Sequence, residues 1–145
     1  MEEKNKLLNQ IHNDASMAAF TIQELLKDLK GKDNKIIPYL EDILEKYASF
    51  ESEAKNILNS LNENAKDPNI MAKMGSSMKI NKEVKCDNSD SAIADMMIQG
   101  MTMGLNKIEK CLNEYGDKLD KEHKKLANDF LHFQHEVIEK LREYL

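Results

Sequence analysis

Asp129, His132 and His135 recur every third residue, so a helix would carry a carboxylate and two imidazoles within two turns. These are the donor types of di-iron helical bundles. Such bundles set a Glu on two helices and a Glu-x-x-His on each of two others, all facing inward. Asp129-x-x-His132 is the nearest match in this chain, and Glu24 and Glu45 are acids that upstream helices could add. The face assignment opposes that use. At about 100° per residue, His132 lies roughly opposite the apolar arc of its own helix, and His135 only somewhat nearer its edge. Glu24 and Glu45 point away from their stripes too, and the second helix carries no histidine. The expectation is therefore of surface histidines and no metal or other cofactor.

His123 differs, because it falls at the edge of an apolar face beside Leu119 and Leu126. His12 lies on the flank of the first helix. Both read as core-edge histidines satisfied by one hydrogen bond. His123, Asp129, His132 and His135 are the candidate donors of an alternative reading, a metal-handling bundle.

Sulfur offers a second chemistry. Of nine Met, seven lie between Met71 and Met103, and Cys86 and Cys111 add two thiols. Thioether and thiolate ligands favour Cu(I). Met at helical spacing also fills irregular cores and adaptable interfaces, and packing is the expectation here. A third pattern is Gly100-x-x-x-Gly104, which permits close backbone approach. Met96, Gly100, Met103 and Gly104 are the residues expected at a close helix contact or a subunit interface, in a homo-oligomer that could be a dimer. A bundle rich in Met could also open an apolar cavity for a small ligand. No nucleophile elbow, phosphate loop, dinucleotide fingerprint or zinc signature is present, and an enzyme is not expected.

The elements that would position these residues are helices. The chain has 145 residues, the usual size of one domain. Gly (5) and Pro (2) are rare, while Leu, Lys, Glu, Ala and Met, all good helix formers, are common. Four long apolar stripes follow a spacing of three and four residues. A first helix is predicted from about Glu3 to Lys30, with Leu7, Ile11, Ala15, Ala18, Ile22, Leu25 and Leu29 on one face and Gly31 as its C-cap. Met17 and Phe20 lie roughly opposite that face. A second starts near Asp33 or Asn34, either of which could cap it, and tolerates Pro38 in its first turn. Its stripe runs through Ile36, Leu40, Ile43, Tyr47, Phe50, Ala54, Ile57 and Leu61.

After a break at residues 62–68, the spacing of Met71, Met74 and Met78 predicts a short helix from about Asn69 to Val84. A further long helix covers Ser91 to Tyr115, with Ser89 or Asp90 as cap and Gly116 as stop. Its apolar arc is wide enough to suggest burial on two sides. The last runs from about Asp120 to Tyr144, with Leu126, Phe130, Phe133, Val137 and Leu141 inward. The predicted fold class is all-α: an antiparallel, up-down four-helix bundle of one domain, with the short helix as an extra.

The formal net charge is -5, from 26 acids and 21 bases, and disfavours a nucleic-acid partner. The one basic stretch, Lys73, Lys79, Lys82 and Lys85, is relieved by Glu83 and reads as a solvated face. No apolar run reaches the roughly 20 residues of a membrane span, and the N-terminus lacks the apolar core of a signal peptide, so a cytoplasmic protein with reduced thiols is expected.

The segments Ala72-Lys-Met-Gly-Ser-Ser-Met78 and Ile93-Ala-Asp-Met-Met-Ile-Gln-Gly-Met-Thr-Met-Gly104, with Leu126-Ala-x-x-Phe-Leu-x-Phe133 and Ile138-Glu-Lys-Leu141, carry a resemblance. The chain resembles a group of uncharacterised bacterial four-helix proteins allied with ferritin-like bundles. The resemblance implies an up-down bundle and a role in stress or metal physiology. It brings no site residue, because the ferritin-like ligand pattern is missing from this sequence.

Overall fold

Apolar residues recurring every three or four positions leave each long segment with one face to hide, and burying those faces together is the main driving force of folding. In the computed structural model, residues 2–61 and 70–145 are described, with side chains from residue 5 onward except 70–77. Five α-helices result: α1 (Glu2–Asp28), α2 (Ile37–Ser60), α3 (Ile70–Cys86), α4 (Asp90–Tyr115) and α5 (Lys121–Arg142). A short 3-10 turn, Gly116–Lys118, separates α4 from α5, and no strand occurs among the described residues. None of the described helices is long and apolar enough to cross a membrane.

α1 packs most extensively on α2, and also meets α3, α4 and α5. α4 lies along α5, and α2 meets α5 through aromatic side chains. Buried residues of all five helices form a single apolar cluster. The expected stripes supply most of it. Leu7, Ile11, Ala15, Ile22, Leu25 and Leu29 are buried on the first stripe, and Phe130, Phe133, Val137 and Leu141 on α5.

Local chemistry closes the helix ends. Gly31, in the turn that follows α1, takes a φ of +83, the left-handed conformation that only glycine adopts freely. Ser89 Oγ accepts a bond from Ala92 N at 3.1 Å and caps α4. Asp87 in turn accepts from Ser89 N at 2.9 Å, which holds its carboxyl below the usual range.

The start of α2 departs from expectation. Neither Asp33 nor Asn34 caps it; Ile36 occupies the cap position and makes no side-chain bond. Asp90, at the start of α4, takes that role from a distance. Its carboxylate accepts from Lys35 N at 3.2 Å, Ile36 N at 3.4 Å and Asn34 Nδ2 at 3.0 Å. Asn34 is diverted because its amide also donates to Asn88 O at 2.8 Å. One carboxylate thereby satisfies amides ahead of α2 and pins two helix starts together. Replacing Asp90 with Ala is expected to lower stability by about 1–2 kcal/mol, the range of a lost cap. Urea denaturation followed by circular dichroism would read it, and an unchanged midpoint would show these bonds to be energetically idle.

α3 and α4 differ from expectation in which side they bury. On α3 the inward residues are Ile80 and Val84, while Met78 is 73% exposed; the side chains of Met71 and Met74 lie outside the described residues. α4 buries Ile93, Ala94, Met97, Met101, Leu105 and Ile108, but Gly100 and Met103 stay on the outside. Its wide apolar arc is therefore not covered on both sides among the described residues. Gly116 keeps a right-handed conformation, and the 3-10 turn that follows ends α4.

Candidate functional site

The residues that folding has forced inward against their polarity are His12, Ser16, His123, Gln134 and the hydroxyl of Tyr47. A polar group loses water on burial and needs a partner to offset that loss. Tyr47 and Gln134 supply each other's. The Tyr47 hydroxyl donates to Gln134 Oε1 and lies 3.7 Å from Met101 Sδ. Phe133 and Phe130 present edges to the Tyr47 ring, with centroids 4.9 and 6.3 Å away. α2, α4 and α5 thus each contribute one member of an enclosed polar contact. Burial, reinforced by the neighbouring Tyr39 and Asp14, pushes the Tyr47 phenol well above its ordinary range.

Asp14 extends this layer to α1. Its Oδ1 accepts from Gln10 Nε2 at 2.8 Å. Its Oδ2 is buried, makes no hydrogen bond, and lies 3.0 Å from where a Cβ on Gly104 would sit. Burial raises the Asp14 carboxyl above its usual range, against the Gln10 bond and the charge of Lys107. The layer therefore comprises a phenol, an amide, a thioether and a half-buried carboxyl. It holds no activated nucleophile with an adjacent base. What it can do is fix which helices meet and in what register, because any slip leaves a buried polar atom without its partner.

The four candidate metal donors are not brought together. His132 Nε2 pairs with Glu136 Oε1 on its own helix at 3.1 Å, and His135 Nε2 with Glu109 Oε1 of α4 at 3.1 Å. Asp129 Oδ2 pairs with Lys125 Nζ at 2.9 Å. All three lie on the outside of α5. His123 is buried; its Nδ1 is 3.4 Å from Asp120 Oδ2 but not aligned for a hydrogen bond. Among the described residues, no group of three or more His, Cys, Asp or Glu is placed to hold a metal ion.

The two core-edge histidines differ from expectation. His12 is 1% exposed and its Nδ1 has no hydrogen-bond partner; His123 has none on either nitrogen. The sulfurs also diverge. Met97 and Met101 are buried, Met78 and Met103 are outside, Cys86 is exposed and Cys111 half-buried, with its thiol pushed up by burial.

The four contact residues on α4 separate into two kinds. Gly104 is a packing glycine, set against the Asp14 side chain of the same chain. At Gly100 nothing lies within 4 Å of the position a Cβ would take, and Met103 is 67% exposed, with Met96 half-buried on the same helix. The two glycines should respond differently to alanine. Gly100→Ala is expected to raise stability by about 0.5–1 kcal/mol, the helix-interior penalty of glycine. Gly104→Ala should show no such gain, because its methyl would press on Asp14. Thermal unfolding of both variants at low concentration checks the contrast, and equal gains would remove the packing role of Gly104.

Two features escape a stripe-based reading. Gln134 escapes it by type alone: it lies four residues after Phe130 and three before Val137, an inward spacing, but its polar side chain keeps it out of an apolar stripe. An open groove runs between α1 and α2 on the outside of the molecule. It has a volume of about 420 Å³ and is lined by Ser16, Ala19, Phe20, Gln23, Leu44, Glu45, Ala48, Glu51 and Ser52. Glu45 does point away from the core, as expected, and into this groove. No protein-family model, curated protein or solved structure matches the chain.

Proposed function

We propose that this is a non-enzymatic helical protein that acts through protein–protein contacts and assembles with copies of itself. The observation that carries the reading is the outward face of α4, where Met103 stands exposed beside Gly100, whose backbone is open to close approach. Large apolar side chains left on a surface lose free energy to water until something covers them. Light scattering of the purified chain across the micromolar range tests it. The expected result is a mass above that of one chain, reduced by Met103→Asp. A single-chain mass at every concentration would end this reading.

The same proposal includes an arrangement. α1, α2, α4 and α5 form an antiparallel four-helix bundle, with α3 added against α1. Its support is the way partners are spaced. Tyr39 stacks on Tyr144, Tyr47 bonds Gln134, and Phe50 meets Phe130, so numbers rise on α2 as they fall on α5. Lys6 lies over Tyr115 while Asp14 sits against Gly104, which gives α1 and α4 the same opposed sense. The ferritin-like resemblance belongs to this proposal as a likeness of frame. A cytoplasmic setting, with both thiols reduced, completes it.

A further inference from the structure

The groove between α1 and α2 and the outer face of α3 complement each other. The groove is walled by small residues, Ser16 and Ala19 on one side and Ala48 and Ser52 on the other, with Phe20 and Leu44 adding apolar surface. Its charged lining residues are both acids, Glu45 and Glu51. Ser16 to Gln23 spans about 10 Å of helix at 1.5 Å per residue, two turns. A groove of this kind accepts a short amphipathic helix whose apolar side chains enter it and whose cations meet the rim.

The chain carries such a face itself. Met78, Lys82 and Lys85 fall at i, i+4 and i+7, one side of α3, and none of the three is buried. Ile80 and Val84 hold the opposite side in the core, so α3 can present this face without leaving its own molecule. Met78 to Lys85 spans about 10 Å as well. Met78 is among the most exposed large apolar side chains described.

We propose that the α1–α2 groove of one copy receives the α3 face of a second copy, with Met78 against Phe20 and Ala48, and Lys82 and Lys85 beside Glu45 and Glu51. The contact joins two different surfaces, so it either closes reciprocally in a two-fold dimer or continues from copy to copy. The inference rests on the reading of the chain as self-associating, and assigns a contact separate from the α4 face.

Charge reversal and rescue test it on the full chain. Glu45→Lys with Glu51→Lys, and separately Lys82→Glu with Lys85→Glu, are outward substitutions whose folding is checked by circular dichroism. Sedimentation across the micromolar range should show each pair weakening association by at least about tenfold, consistent with opposing charge at an interface. The four changes combined should restore association, and added salt should weaken the wild type and the rescued variant alike. Self-association untouched by either pair, yet removed by Met103→Asp, overturns this contact and leaves the α4 face in place. Failure of the combined variant to recover overturns the pairing of these charges. A single-chain mass throughout overturns both this contact and the self-associating reading.

Discussion

Replacing Phe130 with Ala is expected to remove about 3–5 kcal/mol of folding free energy, the range for large buried aromatics. Phe130 is fully buried, with ring centroids of Phe50 and Tyr47 at 5.0 and 6.3 Å. It therefore joins α5 to α2, beside the contacts that Phe133 and Gln134 make with Tyr47 and Phe50. Its loss removes the transfer free energy of the ring and leaves a cavity whose walls are helices already fixed by α1. A domain of this size has about 5–15 kcal/mol in total, so the variant should be close to unfolding at ambient temperature. Phe50→Ala, at a half-buried site whose ring meets Phe130 and Phe133, should fall well short of it. Urea denaturation of both variants reads the difference. Equal and small effects would show that the aromatic contact does not bind α5 to α2.

The second large effect is a coupling. Tyr47→Phe removes the donor from a buried Gln134 carbonyl, and Gln134→Leu leaves the Tyr47 hydroxyl with only the Met101 sulfur, a weak acceptor. Each single change should cost about 1–3 kcal/mol, because an unpaired polar atom then stays buried. The double variant should recover most of that loss, since an apolar pair of similar shape asks for no partner. Additive losses in the double variant would mean that the two side chains do not interact. Alkaline pH gives an independent readout. The Tyr47 phenol is raised above its ordinary value near 10, so its contribution is complete below pH 10 and is lost as pH rises beyond it. Tyr39, pushed up to about 12 chiefly by burial, acts in the same sense between pH 10 and 12. Tyr47→Phe should make the fall in stability over that window shallower by one proton.

Helical periodicity carried most of the fold. The stripes of α1, α2 and α5 could be read because each repeats every three or four residues, and burial follows them except that Ala18, Phe50, Ile57 and Leu61 stay half-buried while Leu8, Ala19 and Leu58 beside the stripes are buried. What could not be read arose from contacts between segments distant in sequence. Asp90 holds the amides just ahead of α2 across more than fifty residues, and no local motif at Asn34 signals that its amide is turned aside. The breadth of apolar residues on α4 suggested two covered sides, but covering also needs a neighbour, and none reaches Met103 among the described residues. Of the site, the sequence showed that His132 and His135 would face outward, because a polar residue on the wrong side of a stripe is visible by counting. Gln134 was hidden by its type, although its position on the stripe was inward. The groove was not legible, because it is a property of two helices side by side: Ala19 and Ala48 read as helix formers until each is seen to be the wall of a channel.

The central place of α1 bears on how the chain is made. α1 and α2 precede the other described helices and can pack on one another once both are made, through the residues 29–36 that join them. The partners that cover the rest of α1 are completed only when roughly 80 further residues have been added, a delay of about 4–16 s at 5–20 residues per second. For that interval the parts of α1 that meet α3, α4 and α5 stay uncovered. α1, the described helix that meets the most others, is thus the one that waits longest for its full cover.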